Sequence, residues 1–321
     1  MRHELDDTDR RIVAALLAAP RASWRTIAGS LGLSERTVVR RAGPLLADGT
    51  VRITAVPNPT LFPELIPMAL RIRCRPNRVR EIAATLARRP DTLWVDVLGS
   101  GDEICLVGFL DGPESRNTLL LRDLPATAAV HSWSAHALLR VFVDAFTWTG
   151  GLLTTQEAAA LRADRSPGVS SVAPVRSDDP LIRTLVENGR ASYADLADRT
   201  DTTPLTARRR LTTLVSAGML RLAAEVDLAL LGVNADALLW VNVAPGELDE
   251  VGRTISRHPQ VRFTAAITGP ANLLIAAATT DLDALYTFLT DTIGTLPGIG
   301  AIDVSPILAT VKRTGVIRGS V

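Results

Sequence analysis

The chain lacks most of the signals that announce a chemistry. It has two cysteines, Cys74 and Cys105, each inside an apolar, strand-like segment. That placement reads as buried free thiols, not a disulfide or a metal pair. It has four histidines and no spacing of metal ligands, no Ser/His/Asp set and no phosphate-binding loop. No cofactor is therefore expected. No apolar run is long enough to cross a bilayer, and MRHELDDTDRR lacks the apolar core of a signal peptide, so a cytoplasmic location without a membrane partner is expected. Charge of one sign is also missing: the formal net charge is +1. A weak overall field does not exclude a nucleic-acid partner, because one basic helix can bind phosphate while acids elsewhere cancel the sum. The only lysine is Lys312. Base composition of a genome produces such a bias, so arginine richness alone carries no argument.

What the chain does have is length and repetition. Its 321 residues, 47% apolar, can bury a core in two or more domains. RASWRTIAGSLGLSERTVVRRAGPLLADGTVR (21–52) lies over RASYADLADRTDTTPLTARRRLTTLVSAGMLR (190–221) without a gap. Trp24 meets Tyr193, Ser34 meets Thr203, Arg40 and Arg41 meet Arg209 and Arg210, and Gly49 meets Gly218. Downstream, VLGSGDEICLVG lies over ITGPANLLIAAA. The chain is a tandem duplication of a two-part unit, and GG, SPG and SS punctuate the join.

In the first part, Asp6, Asp7 and Asp9 mark a helix start, and Ile12, Val13, Leu16 and Leu17 keep helical spacing. Ser23 opens a second helix, Gly32 makes a turn, Ser34 caps a third helix, and Val51–Val56 alternates like a strand. Helix, helix, turn, helix, strand describes a winged helix-turn-helix, whose last helix enters the major groove. On that helix Val38 and Leu45 point inward while Arg36, Thr37, Arg40 and Arg41 project elsewhere. No acid stands three or four residues from Arg40 or Arg41 within the helix, which favours a grip on DNA over a salt-bridge lattice. The second copy has Ser177 as a candidate cap with Pro180 in the first turn, a left-handed turn at Asp201, a cap at Thr203, and Arg208, Arg209 and Arg210. The expected DNA-binding residues are Ser34, Arg36, Thr37, Arg40, Arg41, Thr203, Thr206, Arg208, Arg209 and Arg210.

The second part reads as βαββαβ in each copy. In the first copy, strands at 68–74, 93–98, 104–110 and 127–133 alternate with helices at 79–86 and 113–124. The strands are largely continuous Leu, Val, Ile and Ala, so the sheet face away from its helices is expected to be apolar and to need a partner, most simply the other copy. The fold class is α+β. The expected parts are winged helix-turn-helix domains at 1–56 and 177–226, ferredoxin-like domains at 65–145 and 235–315, and a linker at 146–176 with a short helix near 155–165.

LDDTDRRIVAALL, S-x-x-x-I-A-x-x-x-G-L-S-x-x-x-V-x-x-R at 23–41, and the loop Gly99-Ser100-Gly101-Asp102 resemble the Lrp/AsnC, or feast/famine, family of transcriptional regulators. The resemblance covers nearly the whole chain, twice. It implies double-stranded DNA as partner and a small effector, commonly an amino acid, held near that loop. It also implies oligomers, here an intrachain pseudo-dimer with further homo-oligomers. The implied effector residues are Gly99, Ser100 and Asp102, with Gly269 and Asn272 in the second copy, where Asn stands in place of the acid. The same architecture also resembles siroheme decarboxylases, an enzyme alternative that would need a histidine-bearing pocket; His131, His136 and His258 read instead as surface or strand-end residues.

Overall fold

The computed structural model describes residues 5–162, 176 and 179–318. It divides into two compact units that each draw on both copies: residues 1–62 with 146–231, and residues 63–145 with 232–321.

The first unit is built from helices α1 (Asp7–Ala18), α2 (Trp24–Leu31) and α3 (Glu35–Ala47), strand β1 (Val51–Pro57), and helix α6 (Thr155–Arg162). The second copy adds α7 (Pro180–Glu187), α8 (Tyr193–Thr200), α9 (Pro204–Ser216) and strand β6 (Leu220–Val226). Local chemistry sets the helix starts. The side chains of Asp6, Ser23, Ser34, Ser192 and Thr203 each accept from a backbone N–H three residues on, satisfying a donor with no partner inside the helix. Asp179, not Ser177, caps α7; Ser177 lies outside the described residues, as does the expected linker helix beyond Arg162. The left-handed turns expected at Gly32 and Asp201 are present, with φ of 68° and 49°.

The two helical halves join through their wings. Strands β1 and β6 pair antiparallel from Val51 opposite Val226 to Pro57 opposite Leu220. A second junction is reciprocal: Arg21 donates to the carbonyls of Gly189 and Ala191 and lies over the Tyr193 ring, while Arg190 donates to those of Pro20 and Ala22 and lies over Trp24. Arg21 is the repeat partner of Arg190, and Trp24 that of Tyr193, so the copies clasp each other about an approximate twofold axis.

The second unit carries β2 (Leu65–Cys74), α4 (Val79–Arg88), β3 (Thr92–Leu98), β4 (Glu103–Asp111), α5 (Gly112–Thr118) and β5 (Val130–Val143). Its second half carries β7 (Ala235–Val243), α10 (Leu248–Ile255), β8 (Val261–Ile267), β9 (Leu273–Thr279), α11 (Leu282–Thr287), β10 (Ile299–Arg313) and β11 (Val316–Ile317). Each half packs its helices on one sheet face, around Leu70, Ile72 and Leu106 in the first and Leu239, Val241 and Ile275 in the second.

Two strands run longer than their sequence pattern suggested. Strand β5 pairs with β2 and then continues along β8; β10 pairs with β7 and then continues along β3. The sheet order is β11-β10-β3-β4-β2-β5-β8-β9-β7 with β10 also on β7, so every strand of this sheet but β11 belongs to one closed antiparallel ring. The expected open apolar face is thus corrected in two ways. The copies share strands as well as faces, and the inner surface is partly charged: Asp96, Glu103, Arg262 and Arg313 are all buried.

Candidate DNA interface and effector loops

Helix α3 presents two kinds of arginine. Arg36 and Arg40 are exposed and make no ion pair with any described residue. Arg41 is different. Its guanidinium donates to Asp6 at 2.7 Å and Asp9 at 2.8 Å, the two acids of the box that caps α1. The backbone N–H of Asp9, then Arg41, hold the Asp6 carboxyl below its ordinary value; Asp9 and then Asp6 hold the Arg41 guanidinium above its own. The salt-bridge lattice set aside on intrahelical spacing therefore exists for this residue, with partners 32 and 35 positions away. The second copy repeats the division: Arg210 donates to Asp179 at 2.8 Å, while Arg208 and Arg209 are exposed. Arg209 has no ionic partner among the described residues, and Arg208 lies over the Tyr193 ring.

The hydroxyls of the caps have a local task. Ser34 Oγ accepts from Thr37 N and lies 2.8 Å from Thr37 Oγ1; Thr203 and Thr206 repeat this at 2.9 Å. Each pair fixes the tip of its helix. Between the arginines the tips differ: Val39 is exposed where the second copy has Arg208, and Leu205 is exposed where the first has Arg36.

In the first loop, Gly99 N donates to Pro306 O at 2.7 Å and Gly101 N to Leu98 O. Ser100 is exposed, and the Asp102 carboxylate, partly exposed, makes no hydrogen bond with a described residue. In the second loop, Gly269 has φ of 114°, and a Cβ there would lie 2.5 Å from His136 Nδ1, so a side chain is excluded twice over. Asn272 is consumed by the fold: Oδ1 accepts from Val243 N and Nδ2 donates to Val243 O, both at 2.8 Å.

The strand registers also revise the alignment of the loops. Ile72 faces Ile104 and Val97 faces Ile104; Val241 faces Leu273 and Ala266 faces Leu273. Counting back one residue, Asn272 occupies the station of Glu103, and Ala271 that of Asp102. The gapless sequence match was one residue out of phase there, because it laid Gly99 over Gly269, whereas the registers lay Ser100 over Gly269.

His136 is buried, with Nδ1 2.6 Å from Thr268 O and Nε2 3.0 Å from Ser134 Oγ, so both ring nitrogens are engaged. Among the described residues no group of three or more His, Cys, Asp and Glu is placed to hold a metal ion, and no helix is long and apolar enough to cross a membrane.

Comparison with known proteins matches three stretches. Residues 5–44 fit the AsnC-type helix-turn-helix domain, residues 181–221 a winged helix-turn-helix DNA-binding domain, and residues 236–317 the Lrp/AsnC ligand binding domain. An HTH-type transcriptional regulator of Pyrococcus furiosus is 30% identical over 116 residues, 35% of this chain and 75% of that protein. Another, of Pyrococcus horikoshii, is 28% identical over 142 residues, 44% of this chain and 89% of its own length. The siroheme decarboxylase NirDL, solved in co-complex with an iron-uroporphyrin III analogue, superposes with a TM-score of 0.59 at 15% identity, covering 96% of this chain and 93% of that one. At that identity the likeness is one of fold.

Proposed function

The chain belongs to the Lrp/AsnC family of transcriptional regulators, and from that premise we propose that it grips double-stranded DNA with two unequal reading helices and answers to a small, amino acid-like effector. The observation that carries the reading is the pair Arg36 and Arg40: exposed, without an ionic partner among the described residues, on the helix that follows the tight turn, and answered in the second copy by Arg208 and Arg209. A guanidinium kept out of salt bridges is free for phosphate or for a guanine edge. Arg41 and Arg210 act one step back, tying each reading helix to the first helix of its own half. Ser34, Thr37, Thr203 and Thr206 shape the helix tips that approach the groove. Asp102 is the loop acid available to an ammonium group, with Ser100 exposed beside it; Gly99, Gly269 and Asn272 hold the two loops in shape. A cytoplasmic location and a single chain acting as a pseudo-dimer, with further assembly of chains, fit this role.

The test is a fluorescence-anisotropy titration on the DNA upstream of the protein's own gene at several salt concentrations. Arg36→Ala and Arg40→Ala should each remove a grip on phosphate and flatten the salt slope by about one unit. A wild-type slope in the double variant would refute the assignment. We read the chain as a regulator without catalytic activity. The full-length likeness to a decarboxylase gives that rival a test of its own: siroheme added to the purified protein should leave its absorbance spectrum unchanged, and a stoichiometric shift would favour the enzyme.

A further inference from the structure

The inner face of the first half-sheet carries a polar shelf. In the β2–β5 and β2–β4 ladders, Arg71 stands opposite Ser134, and Arg73 stands opposite both Ser132 and Glu103. Residues in these registers share one face. Together with Asp303 of β10 they line a pocket of about 270 Å³. Arg71 is fully engaged: it pairs with Glu103 through two nitrogens, donates to Asp303 at 2.6 Å, and lies over the Trp240 ring. Glu103 is nearly buried, its side chain 5% exposed. Arg73 and Asp303 are the open ends of the cluster, 60% and 53% exposed, and Arg73 reaches Glu103 only at 3.7 Å, too far for a hydrogen bond.

The shelf exists once. The repeat places Trp240 at the station of Arg71, Asn242 at that of Arg73, Asn272 at that of Glu103 and Ala301 at that of Ser132. Asn272 closes on Val243, and Asn242 donates to Pro270 O at 2.6 Å, so the mirrored position lacks the charges of the shelf and its two asparagines are drawn to the backbone.

We propose that the shelf of Arg71, Arg73, Glu103, Ser132 and Asp303 binds one small zwitterion per chain, its carboxylate on Arg73 and Ser132 and its ammonium on Asp303. This rests on the reading of the second unit as effector-binding; it moves the ligand from the loop tip to the shelf that the loop leads into, since Glu103 follows Asp102. Charge selects the class. Two arginines and two carboxylates make the pocket neutral, so a lone anion meets Glu103 and a lone cation meets Arg73. A molecule with both charges satisfies the two open ends at once. The volume lies below that of pockets for drug-sized ligands, which fits a compact metabolite. The ammonium would compete with Arg71 for Asp303. That ion pair ties β2 of the first copy to β10 of the second, so occupancy changes how the copies hold each other.

The experiment is calorimetric titration of the full chain with free L-amino acids, each beside its amide, which lacks the carboxylate, and its hydroxy acid, which lacks the amine. Binding is expected from a subset of the amino acids, at one per chain, and from neither control. Arg73→Ala, which breaks no short contact, and Asp303→Asn should each weaken it by roughly tenfold or more. Amino acid binding at wild-type strength in both variants, or at two per chain, would overturn the shelf and leave the effector reading standing. Absence of any amino acid binding would overturn the zwitterion, and the DNA titration would then judge the regulator reading independently.

Discussion

Single arginines of one cluster divide into exposed ones without an ionic partner among the described residues and ones tied to the first helix of their half, and only their surroundings tell them apart. Arg40 and Arg41 are neighbours in sequence, yet Arg41 is spoken for by Asp6 and Asp9 while Arg40 is free of ionic partners among the described residues. Arg40→Ala should weaken DNA binding at unchanged melting temperature; Arg41→Ala should lower the melting temperature first. The Arg41 tie should also fail in acid. Asp6 has its carboxyl held below the ordinary 3.8, so the stability it contributes is present above that value and is lost as pH falls through the depressed one. Lys312 behaves oppositely. Its ammonium is buried against Arg89 O and Thr92 Oγ1, and burial lowers its pKa from 10.5 to about 8. Below 8 the folded state carries the cost of a desolvated charge; between 8 and 10.5 the folded state sheds its proton and the unfolded state keeps it; above 10.5 the cost is gone. Stability from this group therefore rises with pH across that window, and Lys312→Met should remove the rise in a series of urea melts. None of this was legible in sequence, where ion-pair partners more than thirty residues away leave no spacing signal.

At the scale of elements, capping residues and helical periodicity told most of the story. Ser23, Ser34 and Thr203 stand where their hydroxyls are needed, and Asp201 takes the left-handed turn that Gly32 takes in the first copy. The missed elements are the outer ends of β5 and β10. VFV in β5 and ATV in β10 have strand-like residues, but their partners β8 and β3 belong to the other copy, and local pattern carries no record of a crossing. The wing pairing makes a testable demand. Gly189 N donates to Ile53 O, and a Cβ at 189 would lie 2.8 Å from both the N and the O of Thr54. Backbone cannot yield there as a flexible side chain would. Gly189→Ala should cost roughly 1–3 kcal/mol and speed hydrogen exchange in β1 and β6. Unchanged protection of those strands would show that the wings pair independently of this contact.

Across the whole molecule, the two copies are related but not interchangeable. Asp236 accepts from Arg262 at 2.9 Å and from Arg313 at 2.8 Å, and Asp96 lies 3.7 Å from Arg313. Burial alone would raise the Asp236 carboxyl; Arg262 and Arg313 outweigh it, and its pKa is lowered. The repeat offers Pro67 for Asp236 and Leu93 for Arg262, so this neutral network forms only between unlike copies. Asp236→Ala should be costly, on the order of 3–5 kcal/mol, because it strands buried arginines; a variant of wild-type stability in urea would contradict that. Difference between copies should reach the DNA as well. The helix tips read ERTVVRR and PLTARRR, and the β1–β6 wings with the Arg21 and Arg190 clasps hold both in one unit. Identical heads would read a palindrome; these should read two different half-sites. The direct measurement is selection of binding sites by the purified protein from a random double-stranded DNA pool. The structure leads us to expect an enriched site without twofold symmetry, lost from the pool when Arg36 and Arg40 are both alanine. Recovery of a perfect palindrome within two adjacent helical turns, or no enrichment at all, would contradict it.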